Sequence, residues 1–143
     1  MSGIIRVLIV DGDEATREGL NKMLSSEEGI MVIGEARSGE AALAKVQELS
    51  PDVAIVLAGD TMSDEDSINS AFAISKAKLP VKMIIMAENP VQYLVPAIKA
   101  GAVGLLSDGI GRSELLSAIR RIHLWFPSSL SSGSSLPSWD TAL

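Results

Sequence analysis

The sequence predicts an α/β fold, a three-layer sandwich with a parallel five-stranded sheet between two layers of helices. Three observations point to it. Short apolar runs rich in β-branched residues recur five times, at residues 4–10, 30–36, 53–57, 81–86 and 103–107. Segments of helical period separate them, each long enough for the crossover that joins parallel strands. Asp, Ser, Pro and Gly punctuate the joins, as turns and caps require.

The elements follow in order. Ile4-Ile5-Arg6-Val7-Leu8-Ile9-Val10 ends at Asp11-Gly12-Asp13, a strand running into a turn. Asp13 suits the N-cap of a helix carried by Thr16, Leu20, Met23 and Leu24. A carboxylate there accepts unpaired amides and meets the positive end of the helix dipole. After the second strand, Ser38-Gly39-Glu40 opens a helix with Ala42, Val46 and Leu49 inward. Ser50-Pro51 stops it, because the residue before a proline is pushed out of helical geometry. The third strand leads to an acidic loop and a helix carried by Ile68, Ala71, Phe72 and Ser75. The fourth helix contains Pro96, so it is either kinked or ordered only from near Val95. In a first turn the missing proline amide breaks no helical bond. Ala100-Gly101 closes that helix, and Leu115, Ile119 and Ile122 carry the last one. Five such units give a flavodoxin-like (βα)5 sandwich with sheet order 2-1-3-4-5, whose chemistry gathers at the carboxyl ends of strands 1 and 3.

Composition narrows the function. The chain has no Cys and one His, His123, which leaves little for thiolate catalysis, zinc or a His-based relay. Lys and Arg number 12 against 18 acids, so nucleic acid is an unexpected partner for this domain. The window between Lys45 and Lys76 has no basic residue and six acids, equal to the whole net charge of −6. The short first apolar run is no signal peptide, and no stretch approaches the roughly 20 apolar residues of a membrane span. The expected location is the cytoplasm, with no membrane attachment. Residues 1–123 form the expected domain. Residues 124–143 read as a Ser-rich linker toward an output domain beyond Leu143, with Trp125, Phe126 and Trp139 set in it.

A family resemblance rests on several runs together: Ile5 to Asp11, Arg17-Glu18-Gly19-Leu20, Val32-Ile33-Gly34-Glu35-Ala36, Ser38-Gly39-Glu40-Ala41-Ala42 and Pro51-Asp52-Val53. Ala97-Ile98-Lys99-Ala100-Gly101-Ala102-Val103-Gly104 and Leu115 to Arg121 complete it. This pattern resembles the CheY-like receiver domain of two-component response regulators, nearest the NarL/FixJ subgroup joined to LuxR-type DNA-binding domains. The resemblance spans residues 4–122 and implies a site. A receiver carries a phosphoryl group on an Asp ending strand 3, with two acids after strand 1 for Mg²⁺. A hydroxyl ends strand 4 and a Lys ends strand 5, and together they hold the phosphoryl oxygens.

This sequence departs from that site consistently. Asp11 keeps the first acid, but the second falls on Gly12, the acceptor on Leu57, the hydroxyl on Ala87 and the Lys on Asp108. The aromatic expected in strand 5 is Leu105. Leucine offers no nucleophile, and Asp108 places a negative charge where an anion would sit. Like charges about 4 Å apart repel by roughly 1–4 kcal/mol, depending on the dielectric. The resemblance therefore implies a degenerate pseudo-receiver, a non-catalytic domain acting by protein contact. Asp11, Asp13 and Asp60 are the candidates for a residual Mg²⁺ site, although Asp13 serves equally as a helix cap and Asp60 as a loop acid. The expectation is that no cofactor binds.

Other readings stay open at this point. Asp60 could be an acceptor displaced by an insertion, or the fold could bind a small ligand at its switch point. The parent protein could be a transcription regulator, or a pilus-assembly ATPase of the CpaE/TadZ kind, which has an atypical receiver. Neither a G-x-x-x-x-G-K-[ST] loop nor an evident helix-turn-helix occurs in these residues. The expected partners are an output domain, own or separate, and a second copy. The family's helix 4–strand 5–helix 5 face would here offer Gln92, Tyr93, Pro96, Lys99, Leu105, Arg112 and Arg120.

Overall fold

A computed structural model describes residues 3–58 and 64–125. The strands are β1 (Ile5–Val10), β2 (Ile30–Ala36), β3 (Val53–Ala58), β4 (Lys82–Ala87) and β5 (Gly104–Ser107). The helices are α1 (Glu14–Ser25), α2 (Gly39–Leu49), α3 (Asp64–Lys76), α4 (Leu94–Lys99) and α5 (Arg112–Trp125), with a 3₁₀ turn at Pro90–Tyr93 before α4. All pairings are parallel and the sheet order is β2-β1-β3-β4-β5, the flavodoxin-like layout the sequence predicts. The reading of residues 126–143 as a linker, and of Asp60 as an acceptor or ligand, lies outside the described residues.

Strand alternation divides the core in two. Leu8, Val10, Ala54, Val56, Ile85 and Leu105 face α2, α3 and α4, whereas Val7, Ile9, Ile55, Ile84, Met86 and Leu106 face α1 and α5. Each fully buried aliphatic side chain of this kind contributes about 1.5–3 kcal/mol by leaving water.

The caps follow from the residues at the joins. The Asp13 carboxylate accepts from the Thr16 backbone N–H at 2.9 Å and from its hydroxyl at 2.6 Å. Thr16 is thus an exposed capping partner, not part of the inward stripe expected of it. Ser38 Oγ accepts from the Ala41 N–H at 3.2 Å and caps α2. Ser50 ends that helix at φ 47°, the left-handed conformation of a helix C-terminus, with its N–H donating to the Val46 carbonyl, and Pro51 prevents continuation.

Helix α4 begins at Leu94 with Pro96 in its first turn, one of the two outcomes the proline allows. The 3₁₀ turn supplies the residues that a regular helix would otherwise have covered. Gly101, at φ 84°, closes α4 in a conformation that costs an ordinary residue about 1–2 kcal/mol.

Helix α3 departs from expectation. Ala71 and Ile74 are buried and Ile68 packs against them, while Phe72 and Ser75 are exposed. The reason is the close approach of α2 and α3: a Cβ added at Gly39 would stand 3.2 Å from the Ser70 Cα. A seam of Gly, Ser and Ala has no room for an aromatic ring.

Candidate functional site

The carboxyl ends of four adjacent strands converge as the topology requires. Val10 is in register with Val56, which sets Asp11, the residue after β1, level with Leu57. Leu57 is in register with Met86, and Ala58 with Ala87. Ala87 pairs with Ser107, and the Asp108 N–H donates to the Ala87 carbonyl at 2.9 Å. Asp11, Gly12, Leu57, Ala87 and Asp108 therefore share one edge of the sheet.

Their environments differ. Asp11 is 2% exposed, its N–H donates to the Ala36 carbonyl at 3.0 Å, and its own carbonyl accepts from Arg17 Nη1 at 2.6 Å. Asp108 is exposed. Leu57 is half-buried and packs against the core beneath α1 and α5. Ala87 is fully buried and carries no hydroxyl.

Among the described residues the donor set does not suit Mg²⁺. Gly12 stands where the resemblance implies a second acid, and the Asp13 carboxylate is turned onto its own helix. The Thr16 hydroxyl, and then the Thr16 amide, hold that carboxyl below its ordinary range. Among the described residues no group of three His, Cys, Asp or Glu is placed to hold a metal ion.

Of the residues expected on the helix 4–strand 5–helix 5 face, Gln92 and Lys99 are exposed and Pro96 is half-buried on the 3₁₀–α4 surface. Two need correction. Tyr93 and Leu105 are buried in the core beneath α4, because the 3₁₀ turn rolls Tyr93 inward and Leu105 alternates toward α3 and α4. Arg112 and Arg120 also reach elsewhere. Arg112 Nη2 lies 3.0 Å from Glu27 Oε2 and donates to Ser26 Oγ at 2.9 Å. Arg120 Nη2 lies 2.6 Å from Glu27 Oε1 and donates to the Glu28 carbonyl at 3.3 Å. Helices α1 and α5 share one side of the sheet, so these arginines clasp the end of α1 rather than flank α4.

A better-exposed apolar feature lies on the same 3₁₀–α4 segment. Val91, Val95 and Ile98, at 67%, 59% and 44% exposure, recur at i, i+4 and i+7 along the turn and α4. That period was available in the sequence, but only the burial of Tyr93 and Ala97 shows which side faces outward.

The Arg120 guanidinium foremost, with Arg112, holds the Glu27 carboxyl below its ordinary value of 4.5, against the opposing effect of burial. A carboxyl with a depressed folded value stabilises the fold above its unfolded value, and that stabilisation is lost as pH falls through the folded value. Glu27→Gln is thus expected to be less stable than the parent chain at neutral pH. The gap should close below pH 4.5 and narrow in high salt, as urea midpoints would show.

The opposite edge of the sheet is structural. Asp52 Oδ2 accepts from the Arg6 N–H at 2.8 Å, and Arg6 caps the end of α2 through the Ser50 and Leu49 carbonyls at 2.8 and 2.7 Å. Buried Lys82 sits beside Asp52; burial lowers its pKa, and the neighbouring carboxylate partly restores it.

No helix among the described residues is long and apolar enough to cross a membrane. Comparisons with known proteins agree with the architecture. The chain is 33% identical over 122 residues to the response regulator GacA of Pseudomonas viridiflava, covering 83% of this chain and 55% of that relative. It is 35% identical over 123 residues to the response regulator UvrY of Escherichia coli K12, covering 84% and 55%. It thus spans about half the length of the curated relatives it matches. The receiver domain of the response regulator NarL from Mycobacterium tuberculosis superposes with a TM-score of 0.74 at 27% identity, covering 85% of this chain and 98% of that one. The family model for the response regulator receiver domain matches residues 7–120. With that match and these relatives, the chain belongs to the response regulator receiver domain family, a family of signalling domains.

Proposed function

We propose that this chain is a receiver-type regulatory domain that acts through protein contacts and accepts no phosphoryl group. One observation carries the reading: the acceptor position holds Leu57, packed against the core at the end of β3. The neighbouring positions support it. Ala87 has no hydroxyl for a phosphoryl oxygen, and the carboxylate of Asp108 would repel the anion that a Lys attracts. Asp11 remains as one buried acid where the resemblance implies two acids for Mg²⁺.

The parent protein is a LuxR-type transcription regulator on this reading, with its DNA-binding part outside these residues. The curated relatives that this chain matches are response regulators of which it covers 55%, which supports a parent protein of that class with a further part. The domain itself, carrying net negative charge, binds no nucleic acid. Its contact surface is the Val91–Val95–Ile98 ridge, rimmed by Gln92, Pro96 and Lys99, and its partner there is a second copy or the output domain. A Val95→Glu variant is expected to halve the scattering mass of any dimer while leaving the circular dichroism unchanged.

The phosphoryl question has a direct test. Incubated with acetyl phosphate and Mg²⁺, the purified protein is expected to show no phosphoryl increment in its intact mass. Beryllofluoride should leave its amide spectrum unchanged. A stoichiometric increment, at Asp60 or elsewhere, would sink the contact-only reading.

A further inference from the structure

Glu35 faces α1 only because β2 carries a bulge. Val7 is in register with Val32, yet Leu8 is in register with Gly34, which leaves Ile33 as the extra residue. Alternation reverses across such an insertion. Ile30 and Val32 lie against the core beneath α1, whereas Ala36 joins the core beneath α2. Gly34 turns the same way as Ala36, since a Cβ there would stand 2.8 Å from Leu49 Cδ1. An unbulged strand would have sent Glu35 toward α2 as well.

Placed under α1 instead, the Glu35 carboxylate accepts from Arg17 Nε at 2.9 Å and from Asn21 Nδ2 at 3.2 Å. The Arg17 side chain is 14% exposed, and its Nη1 donates to the Asp11 carbonyl at 2.6 Å. A single guanidinium thus joins the bulged edge strand to the loop that opens the candidate site. Its planar fork suits this double duty, and charge-assisted bonds of this kind are short and strong.

We infer that Arg17, aimed by Glu35, is a positioning residue whose fixed cation sets the loop of residues 11–13, so that the loop answers to the β2 edge and not to an ion in the site. The inference rests on the contact-only reading, yet its test does not measure phosphorylation. The chain from bulge to loop is mechanical: the bulge aims Glu35, Glu35 holds Arg17, and Arg17 holds the Asp11 carbonyl. A partner that engages β2 or α1 therefore acts on the site loop through Arg17.

Amide hydrogen exchange of Asp11, whose N–H donates to the Ala36 carbonyl, tests this, in the parent chain, Arg17→Met, Glu35→Gln and the double variant. Arg17→Met is expected to speed exchange at that amide about tenfold or more, while Ile55 and Ile85 keep their rates. Glu35→Gln should give a smaller rise, and the double variant should match Arg17→Met alone, because Glu35 acts through Arg17. Arg17→Lys should not restore protection, since Arg17 reaches the two oxygens from separate nitrogens, Nε and Nη1, and an ammonium has a single nitrogen. Loop exchange unchanged in Arg17→Met, or additive effects in the double variant, would overturn the inference. Should Arg17→Met fail to fold, Glu35→Gln alone decides, and unchanged Asp11 exchange in it counts against the inference. A Mg²⁺ titration that shifts the Gly12 amide of the parent chain also overturns it. Phosphorylation without such a shift would strike only the contact-only reading.

Discussion

Leu105→Ala is expected to lower the free energy of unfolding by about 3–5 kcal/mol, toward the top of the range for a leucine removed from a closed core. Leu105 is fully buried in the cluster that β5 shares with α3 and α4. It sits on a four-residue edge strand, so few neighbours can collapse into the void. A domain of this size has roughly 5–15 kcal/mol in all, and the variant should sit near the limit of folding at 37 °C. Urea denaturation read by circular dichroism measures the loss. A change under 1 kcal/mol would mean that β5 is not seated as described. The result matters for function because Leu105 is the position where the family resemblance implies a mobile aromatic ring. A large loss would show that here the position belongs to the core.

The second large effect is a gain. Leu57→Asp combined with Ala87→Thr and Asp108→Lys should convert a chain with no acceptor into one that takes a phosphoryl group from acetyl phosphate, provided that Gly12→Asp supplies the second metal ligand. The four positions lie on adjacent strand ends or the turn after β1, so the substitutions act on one site. Leu57→Asp alone should not suffice. It removes an apolar contact with the α1–α5 core and sets a second carboxylate beside buried Asp11. That single variant is expected to be destabilised by about 2–4 kcal/mol and to remain unmodified. Intact mass after incubation with acetyl phosphate and Mg²⁺ reads both outcomes. If the quadruple variant folds and still takes no phosphoryl group, the losses at this edge are not what silences the site.

Much of the fold was legible because its signals are local. The cap at Asp13, the stop at Ser50-Pro51 and the late start of α4 each depend on a residue and its immediate neighbours. The sheet order followed from crossover length and topology rules that need no side-chain detail. What escaped the sequence depends on tertiary distance. Phe72 shares the helical spacing of Ile68 and Ala71, yet it is Ile74 that is buried and Phe72 that is exposed, beside the close Gly39–Ser70 approach. The direction of Arg112 and Arg120 has no mark in the sequence, since an arginine reaches far and only the position of Glu27 fixes it. The bulge at Ile33 leaves no mark in a pattern of apolar residues, so the pairing of Glu35 with Arg17 could not be derived from it. That Asp11, Leu57, Ala87 and Asp108 lie at one edge was legible as well, because each is placed by where a strand ends.

Leu57 has one further consequence, which concerns time. A phosphorylated aspartate stores a signal until it hydrolyses, so a conventional receiver carries a clock in its own covalent chemistry. A leucine packed at that position carries none. On the contact-only reading, the domain's state persists only as long as its partner stays bound and relaxes at the rate of dissociation. Its output then tracks how much partner is present, and no phosphatase can reset it.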